Sequence, residues 1–543
     1  MDSITDGHTS QSRANQTEHD TKTRENDEIT TKFRLGVCCL EGRTFSTGTQ
    51  RDGSCSGGST NTGAEDLQCL YAKAFTCLSE CVEAGYLPTY AYLGDCYAEG
   101  KGVELDKERA YGLYRRGAEE GDAYAQYRLG QCYYRGIFVP KNDSEAFQWY
   151  TKSAAQNDPN GLYALAVCHE YGIGVEERSA DVNELYHRSA QLGNPLAQLQ
   201  LGRMYESGLG VERDPRKAFE FYSKSAAQGN SAGQCGVASC YYHGRGVEKD
   251  LTLAMKFMKR SAEQGFAEAQ VALGEAYSLG EGVEQDDKEA FGWFMKAAEQ
   301  GHDLGQFQVA ACYQHGIGVE QDLEKAFEWY LKSAEQGDAE SQYQVAECYA
   351  LGHGVSKDIR AALEWYRRSA EQRNPEAMHR LQHCLFYGLG TDRNPEEAFQ
   401  WCLESAELGC VDAQFALAIR YMHAEGVPAD PEKAFHWYSM AAEQGHLDSY
   451  NGLGDCYSYG KGVEQDYAKA VEYYLKSPKY PEIQFRLGEC YYHGQGVAKD
   501  PMTAFEWFSK SAQGGYTPAI EALANYDFPH TESGQPIDSG SGG

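Results

Sequence analysis

Three groups of residues in this chain of 543 amino acids have types and spacings that could support chemistry. The first is the motif Gly-x-Gly-Val, which occurs nine times, for example from Gly208 to Val211. Glycines at this spacing can cradle a phosphate when they follow a β-strand and open a helix. No strand is predicted before the motif, so we interpret its glycines as a turn between two helices.

The second group is a pair of histidines, His379 and His383, which stand four residues apart beside Cys384. On a helix this spacing places both rings on one face, where they could bind a metal ion. The glutamate that completes such a motif in metalloproteases is missing, because Arg380 follows His379. We therefore predict neither a metal site nor a cofactor, and no pattern in the chain is typical of a catalytic triad.

The third group consists of the eighteen cysteines. Ten of them take the same place in a repeating pattern: Cys38, Cys96, Cys132, Cys168, Cys240, Cys312, Cys348, Cys384, Cys456 and Cys490. Consecutive members would lie about 10 Å apart on packed helices, beyond the Cα–Cα limit of about 7 Å for a disulfide. This column therefore predicts buried, reduced thiols. Six cysteines also crowd the first unit, at positions 38, 39, 55, 69, 77 and 81, without a zinc spacing, and redox or metal chemistry there stays an alternative.

The repeating pattern has a period of 36 residues. Its marker stands at Val103, Val139, Val175, Val211, Val247, Val283, Val319, Val355, Thr391, Val427, Val463 and Val497, and every step is 36 residues except the last, which is 34. Upstream, residues 33–38 copy residues 127–132, which adds a thirteenth unit that contains an insertion. Such a period predicts supersecondary units that stack on their neighbours.

Each unit is predicted to hold two helices joined by the glycine turn. Three residues after the marker stands Asp or Asn, typical of a helix N-cap, and only Arg178 departs. Columns of small residues let the helices approach, and Tyr and Trp columns are expected to fill the core. Residues 30–526 thus predict an all-α, right-handed α/α superhelical solenoid of about thirteen repeats, with a flexible insertion at about 43–64. Residues 1–29 and 527–543 are expected to be disordered tails, the first of them acidic.

The charge is strongly acidic, with 80 Asp and Glu against 49 Lys and Arg and a formal net charge of -31. An acidic surface repels phosphate backbones and anionic lipids, so we exclude nucleic acid as a partner. No apolar run approaches the roughly 18 residues of a membrane helix, and the start carries no recognisable secretion signal. We expect a cytoplasmic protein without membrane insertion, with a nuclear location as the alternative left open.

The repeat resembles the Sel1-like family of tetratricopeptide-like helical repeats. The residues that carry the resemblance are Leu201-Gly202-x-x-Tyr205-x-x-Gly208-x-Gly210-Val211-x-x-Asp214-x-x-Lys217-Ala218-x-x-Phe221-Tyr222-x-Lys224-x-Ala226-x-x-Gly229. The resemblance implies a non-catalytic adaptor or scaffold that holds protein partners on the concave face, formed by the first helices. It also leaves two alternatives: enzyme-like β-lactam binding or hydrolysis, linked to cysteine-rich relatives, and a regulatory subunit of a membrane enzyme complex. Those cysteine-rich relatives bridge two cysteines within a unit, whereas most units here hold one.

Two first-helix positions vary between units and are therefore the candidates for partner contact. They lie five and eight residues before the marker, and their spacing of three places them on one helix face. The candidate protein-binding residues at these positions are Gln131, Tyr134, Arg203, Tyr242, Glu347, His383, Phe386, Met422 and Tyr492. Exposed aromatic side chains among them would be anchors for a partner. The acidic net charge favours a basic or extended protein segment, and the oligomeric state stays open.

Overall fold

The computed structural model describes residues 27–40, 64–175, 181–526 and 528. Every regular element in these ranges is an α-helix. The helices are α1 (residues 27–40), α2 (Ala64–Glu83), α3 (Thr89–Glu99), α4 (Lys107–Glu119), α5 (Ala123–Arg135), α6 (Asp143–Ala155), α7 (Pro159–Tyr171), α8 (Val182–Gln191), α9 (Pro195–Ser207), α10 (Pro215–Ala227), α11 (Ser231–His243), α12 (Leu251–Glu263), α13 (Ala267–Leu279), α14 (Asp287–Glu299), α15 (Asp303–His315), α16 (Leu323–Glu335), α17 (Ala339–Leu351), α18 (Ile359–Glu371), α19 (Pro375–Tyr387), α20 (Pro395–Glu407), α21 (Val411–His423), α22 (Pro431–Glu443), α23 (Leu447–Tyr459), α24 (Tyr467–Lys476), α25 (Pro481–His493), α26 (Pro501–Gln513) and α27 (Thr517–Asn525). None of these helices combines the length and the apolar composition needed to cross a membrane.

The fold is an all-α solenoid of tandem helix-turn-helix repeats of about 36 residues, as predicted. We number the repeats from α3–α4 as repeat 1 to α25–α26 as repeat 12. The chain forms two compact units: an N-terminal unit that extends to Ala269 and includes Glu281–Val283, and a C-terminal unit of Gln270–Gly280 and the residues from Glu284. The predicted tails and the predicted insertion lie mostly outside the described residues, although α1 begins inside the first tail.

The helices begin and end where the sequence places caps. The side chain of Asp322 accepts a hydrogen bond from the backbone N–H of Lys325 and so satisfies a free donor at the start of α16. Gly316, with φ of 70°, ends α15, and its N–H donates to the carbonyl of Cys312 at 2.8 Å. In repeat 3, where Arg178 interrupts the predicted cap column, Asp181 accepts from two backbone N–H groups instead. Its helix α8 accordingly has 10 residues, whereas most of the helices have 13.

The core is built around one column of second-helix side chains. Tyr330 is 2% exposed, and its equivalents are Tyr114, Tyr150, Tyr186, Tyr222, Met258, Phe294, Tyr366, Cys402, Tyr438, Tyr474 and Phe508, all buried. The small residue of the first helix makes room for this column: a Cβ at Gly202 would lie 2.5 Å from the ring of Tyr222. The predicted Trp column is mostly wrong as core, because of its seven members only Trp293 is buried. Trp329 instead lies half-buried beneath the ammonium group of Lys332, 3.7 Å from the ring centroid.

Two series of buried hydrogen bonds join the two helices of a repeat. A fully buried serine donates its hydroxyl to the carbonyl of the first residue of the first helix, 30 residues earlier, as Ser225 does to Pro195 at 2.7 Å. A glutamine at the end of the second helix donates to a buried glutamine of the first helix, as Gln336 does to Gln306 at 2.8 Å. The first-helix glutamine also reaches the preceding repeat, where Gln342 donates to the carbonyl of Ala334 at 3.2 Å. Because buried polar groups need partners, these bonds set the register within and between repeats.

Glycine is required where the turn of one repeat meets the helix of the preceding repeat. A Cβ at Gly174 would lie 2.1 Å from the carbonyl oxygen of Asp143, and one at Gly354 would lie 1.9 Å from that of Leu323. Only glycine tolerates this approach together with a positive φ. A Cβ at Gly102 would lie 2.2 Å from the carbonyl oxygen of Tyr71 in α2. This contact places α2 in the position of a second helix one repeat upstream.

The column of cysteines packs as small buried side chains in the described repeats. Cys312 is 5% exposed, and burial raises the pKa of its thiol to about 11. Cys96, Cys132, Cys168, Cys240, Cys312, Cys348, Cys384, Cys456 and Cys490 are free thiols. The prediction of reduced thiols is wrong for Cys38, which is disulfide-bonded. Among the described residues no group of three or more His, Cys, Asp or Glu is arranged to hold a metal ion.

Candidate protein-binding surface

Two of the predicted residues, Gln131 and Tyr134, lie together in the last turn of α5. Tyr134 is 38% exposed, and its ring lies 5.6 Å from the ammonium nitrogen of Lys141. Gln131 is half-buried and is held on both sides: its Nε2 donates to the hydroxyl of Tyr127 at 2.5 Å, and its Oε1 accepts from Arg128 at 3.1 Å. The side chains at this point are therefore ordered before any partner arrives.

Two cavities open at these residues. The larger, of about 220 Å³, lies between repeats 1 and 2 and is lined by Ala98, Glu99, Lys107, Ala110, Tyr111, Tyr114, Arg128, Gln131, Cys132, Arg135 and Ile137. The smaller, of about 170 Å³, lies between repeats 2 and 3, with Leu196 of α9 at its edge, and is lined by Tyr127, Gln131, Tyr134, Arg135, Tyr150, Tyr163, Ala164, Val167, Cys168, Ile173 and Leu196. Gln131 and Arg135 line both cavities, so the two lie side by side on the first-helix face of the N-terminal unit.

A buried polar network supports the wall of the larger cavity. Asp95 is 7% exposed and accepts hydrogen bonds from the hydroxyls of Tyr114 at 2.7 Å and Tyr124 at 2.8 Å. Its carboxylate also pairs with the guanidinium of Arg128 at 2.7 Å. Burial raises the pKa of Tyr124 well above its usual value, so this phenol stays a donor. Charge-assisted bonds of this kind are among the stronger ones in proteins and hold Arg128 against the cavity.

Phe138 distinguishes the turn of repeat 2 from the other turns. It stands where most units have the glycine that meets the preceding helix, and its φ of 63° lies in the left-handed region. A bulky residue with positive φ is a genuine conformational outlier, and its side chain is 52% exposed. At the equivalent glycines a Cβ would lie about 2 Å from a carbonyl of the preceding helix, so Phe138, which carries a Cβ, cannot take the same position against α4. The larger cavity, lined by the neighbouring Ile137 and by Lys107 of α4, lies beside this turn.

The comparisons with known proteins agree with this architecture. The Sel1 repeat model matches twelve segments: 88–122, 123–158, 159–194, 195–230, 231–266, 267–302, 303–338, 339–374, 375–410, 411–446, 447–477 and 481–516. The chain belongs to the Sel1 repeat family. Its candidate site therefore lies in the first three Sel1 repeats of the series.

Solved structures with Sel1 repeats are similar to this chain. One is the protective antigen c5321 of uropathogenic Escherichia coli, which displays an SLR fold: 33% identity, 76% of this chain and 89% of that chain covered, TM-score 0.61. A Sel1 repeat protein from Oxalobacter formigenes has 31% identity, with 57% of this chain and 90% of that chain covered and a TM-score of 0.44. No curated protein sequence matches the chain.

Four other predicted residues of the Sel1 repeats stay accessible in part. Arg203 and His383 are exposed, and the ring of Tyr242 is half-buried against that of His243. Glu347 is less available, because it accepts a short hydrogen bond from the hydroxyl of Tyr366 and pairs with Arg380 at 3.2 Å. These residues line neither of the two cavities.

Of the predicted exposed anchors, Phe386 is wrong, whereas Met422 and Tyr492 are half-buried, as Tyr242 is. Phe386 is 9% exposed and belongs to the core. Met422 packs against the cores of repeats 10 and 11. Tyr492 stacks on Tyr526, which follows the last helix, with ring centroids 4.3 Å apart.

Phe386 is buried because four positions of Sel1 repeats 9 and 10 change together. Cys402 replaces the core tyrosine, and Gln382 takes the place of the small residue that would face it. Arg420 stands in the cysteine column, is 4% exposed, and donates a short hydrogen bond to Gln382. Its guanidinium lies 4.2 Å from the centroid of Phe386. The variation that made Phe386 a candidate therefore comes from exchanged core packing.

The structure adds residues that the two variable columns did not contain. Arg135 is the last residue of α5, four before the marker, and it lines both cavities. In other repeats, the position equivalent to Arg135 holds exposed apolar side chains, including Tyr171, Leu279, Leu351, Tyr387 and Tyr459. The signal that could have found Arg135 was the irregularity of this column, which mixes charged, apolar and imidazole side chains.

Proposed function

We propose that this Sel1 repeat protein is a non-catalytic adaptor that binds an extended segment of a partner protein on its first-helix face. The observation that carries the proposal is the pair of cavities that share Gln131 and Arg135, with Tyr134 exposed at the smaller one. Aromatic and arginine side chains dominate the energetics of protein interfaces. The site lies across Sel1 repeats 1 to 3, so a segment that follows the stacking direction would contact consecutive repeats.

The dimensions of the cavities favour side chains of a protein over a small molecule. Pockets for small molecules and cofactors usually have volumes of about 300–1,000 Å³, whereas these have about 220 and 170 Å³. Each can take one side chain of a bound segment. The strained Phe138 supports the same location, since backbone strain of this kind concentrates at ligand-binding and active sites.

The chemistry of the described cysteines favours binding over catalysis. A thiol acts as a nucleophile in its thiolate form, and burial raises the pKa of Cys132 to about 11 and that of Cys240 to about 11. At neutral pH only a small fraction of either thiol is ionised, which counts against these cysteines as nucleophiles of a β-lactam hydrolase. A cytoplasmic location belongs to the proposal and is supported by the nine free thiols of the column, whereas the disulfide of Cys38 does not support it. The proposal also includes a basic partner segment, which would bind the acidic surface away from the cavities.

Crosslinking in the native cells, followed by mass spectrometry, tests the proposal directly. A photo-crosslinking amino acid at position 134 is expected to capture a discrete partner segment. The same group at position 480 provides the control, since Tyr480 is 41% exposed but lies between two helices and lines neither cavity. Equal capture from both positions would contradict the proposed site.

Substitution then separates binding from folding. Tyr134→Ala is expected to weaken binding of the captured segment, and Tyr480→Ala to leave it unchanged. Phe138→Gly is expected to raise stability by about 1 kcal/mol, because glycine relieves the left-handed strain, while it weakens binding as the turn closes on α4. Parallel thermal unfolding and affinity measurements distinguish these effects, and tighter binding by Phe138→Gly would show that the turn does not form the site.

A further inference from the structure

We propose that the two cavities bind an acidic segment of a partner protein, with a side-chain carboxylate on Arg135 and an adjacent aromatic or large apolar side chain in the smaller cavity. This inference rests on the proposed function and adds the chemistry of the partner. It reverses the expectation from the net charge of -31, and the reason lies in which charges of the first-helix face already have partners.

The acidic groups of this face are engaged within the protein. Asp95 pairs with Arg128, Glu170 accepts from the hydroxyl of Tyr186, and Glu206 accepts from Tyr222 at 2.7 Å and pairs with Arg245 at 3.1 Å. The charges of Asp95 and Glu206 are balanced by these arginines, whereas Glu170, whose partner is a neutral phenol, keeps its negative charge. Glu99, the carboxylate that lines the larger cavity, pairs with Lys101 at 2.7 Å. Asp95, Glu170 and Glu206 therefore act as structural acceptors for buried tyrosines.

Arg135 is in the opposite state. Its side chain is exposed, and no carboxylate of the described ranges lies within ion-pair distance of it. Arg135 lines the smaller cavity together with Tyr127 and Tyr150, and its charge opposes the rise in pKa that burial imposes on both phenols. Arg203 likewise opposes the rise in the pKa of Tyr163, which lines the smaller cavity, but Arg203 itself does not line it. Guanidinium groups match carboxylates through two parallel hydrogen bonds.

The smaller cavity is otherwise aromatic and apolar. Tyr127, Tyr150 and Tyr163 contribute rings, and Val167, Ile173 and Leu196 contribute aliphatic carbon. An aromatic or large apolar side chain next to the bound carboxylate would fill this space. The net charge of the chain does not oppose the contact strongly, because exposed charges are screened beyond about 8 Å at physiological salt, whereas Arg135 would touch the carboxylate directly.

The test selects a displayed library of random peptides on the full-length chain. We expect enrichment of peptides with Asp or Glu beside an aromatic or large apolar residue, and no such enrichment on Arg135→Gln. Arg260→Gln is the matched control, since Arg260 is exposed in the last turn of α12 of the same unit and lines neither cavity. Synthetic peptides of the enriched sequence, with each carboxylate kept or replaced by its amide, are then titrated by fluorescence anisotropy.

Arg135→Gln is expected to lower affinity for the carboxylate peptide roughly tenfold or more, and the amide peptide should lose a similar factor on the wild-type protein. On Arg135→Gln the two peptides should bind alike, which identifies the pair that interacts. Enrichment of basic peptides that still depend on Tyr134 would overturn the acidic chemistry but keep the proposed function. Failure to enrich any peptide would overturn both. Tighter binding after removal of residues 1–26 would assign the site to the acidic start of the chain itself.

Discussion

Tyr330 and Trp329 are neighbours in sequence and face different surroundings. Tyr330 is fully enclosed and donates its hydroxyl to Gln314 at 2.6 Å. Trp329 packs only partly against the core and carries Lys332 over its ring. The amphipathic helix α16 turns by about 100° between successive residues, so one of two adjacent aromatic side chains must lie nearer the edge of the buried face.

Replacing Tyr330 with Ala is expected to destabilise the protein by about 3–5 kcal/mol, because the change removes a buried ring and leaves a cavity. Trp329→Ala should cost less than half as much, since part of the indole is already in contact with water. Urea unfolding followed by circular dichroism measures both. Tyr330→Phe serves as the control that removes only the hydroxyl, with an expected cost of about 1 kcal/mol. Equal losses for the two Ala variants would contradict this assignment.

His379 carries a pH dependence of stability. Burial lowers its pKa from 6.5 to about 4; Asp412 opposes that shift, and Arg380, His383 and Arg420 reinforce it. Since the folded protein takes up this proton less readily than the unfolded chain, the contribution to stability is complete above about pH 6.5. It is lost as the pH falls from 6.5 to 4, by about 3 kcal/mol in total.

The equivalent position one repeat earlier holds Tyr343. The variant His379→Tyr, which introduces the same side chain at position 379, is expected to remove this pH dependence of stability. Its free energy of unfolding should fall less between pH 7 and pH 4.5 than that of the wild type. Urea titrations at a series of pH values give both curves. Parallel curves for the two proteins would assign the acid sensitivity to other groups.

At the scale of elements, α19, α20 and α21 contain an exchange of core residues. Gln382, Phe386, Cys402 and Arg420 differ together from their equivalents in the other repeats. They leave a buried guanidinium whose Nε and Nη1 have no hydrogen-bond partner among the described residues. A buried charge without a carboxylate partner is costly, so this junction is expected to be a weak point of the C-terminal unit.

Arg420→Met tests that expectation. A thioether side chain of similar length keeps the contact with Phe386 and removes the buried charge, and such replacements are often neutral or stabilising by about 1–4 kcal/mol. We expect a higher urea midpoint. Arg393→Met is the matched control, because Arg393 is exposed and its guanidinium lies 5.1 Å from the same ring. A marked loss of stability in Arg420→Met alone would show that the guanidinium is well solvated inside the protein.

Sequence periodicity predicted the helices, the caps and the turns of this chain because each depends on local chemistry repeated twelve times. It did not predict the inner and outer aromatic columns correctly, since Tyr330 and Trp329 are both aromatic and both recur with the same period. It also treated variable positions as exposed. Phe386 varies for a different reason, namely that Cys402 and Arg420 change the space around it, and a single sequence does not record such compensation. The cavities were missed because each is lined by side chains from several helices, which a pattern along one chain does not bring together.

At the scale of the whole molecule, stability accumulates from contacts between neighbouring repeats. The buried bond from Gln342 to the carbonyl of Ala334 and the approach of Gly354 to the carbonyl of Leu323 each join a repeat to the one before it. In an array of this kind, each repeat depends on its neighbours and little on distant repeats. A local defect should therefore loosen the chain locally.

Tyr186→Ala provides the measurement, because Tyr186 is 1% exposed in the core shared by repeats 3 to 5. We expect hydrogen exchange to increase most in repeats 3 and 4 and less in repeat 5. Mass spectrometry of deuterated peptides from the N-terminal unit resolves the gradient. Tyr171→Ala is the control, since Tyr171 is 65% exposed at the end of the adjacent helix. A uniform increase across the unit would indicate cooperative unfolding of all its repeats.

The contacts that join repeats have an evolutionary consequence, because many of them end on backbone atoms. The glutamine amide and the turn glycine both meet main-chain carbonyls of the preceding repeat, which every residue type provides. Where neighbours meet through these contacts, a repeat can be duplicated, deleted or exchanged without a matching change in the next one. The junction of repeats 9 and 10 differs, because side chains on both sides of it change together. Repeats 1 to 3, moved within the array by recombination or by design, would then keep their binding specificity.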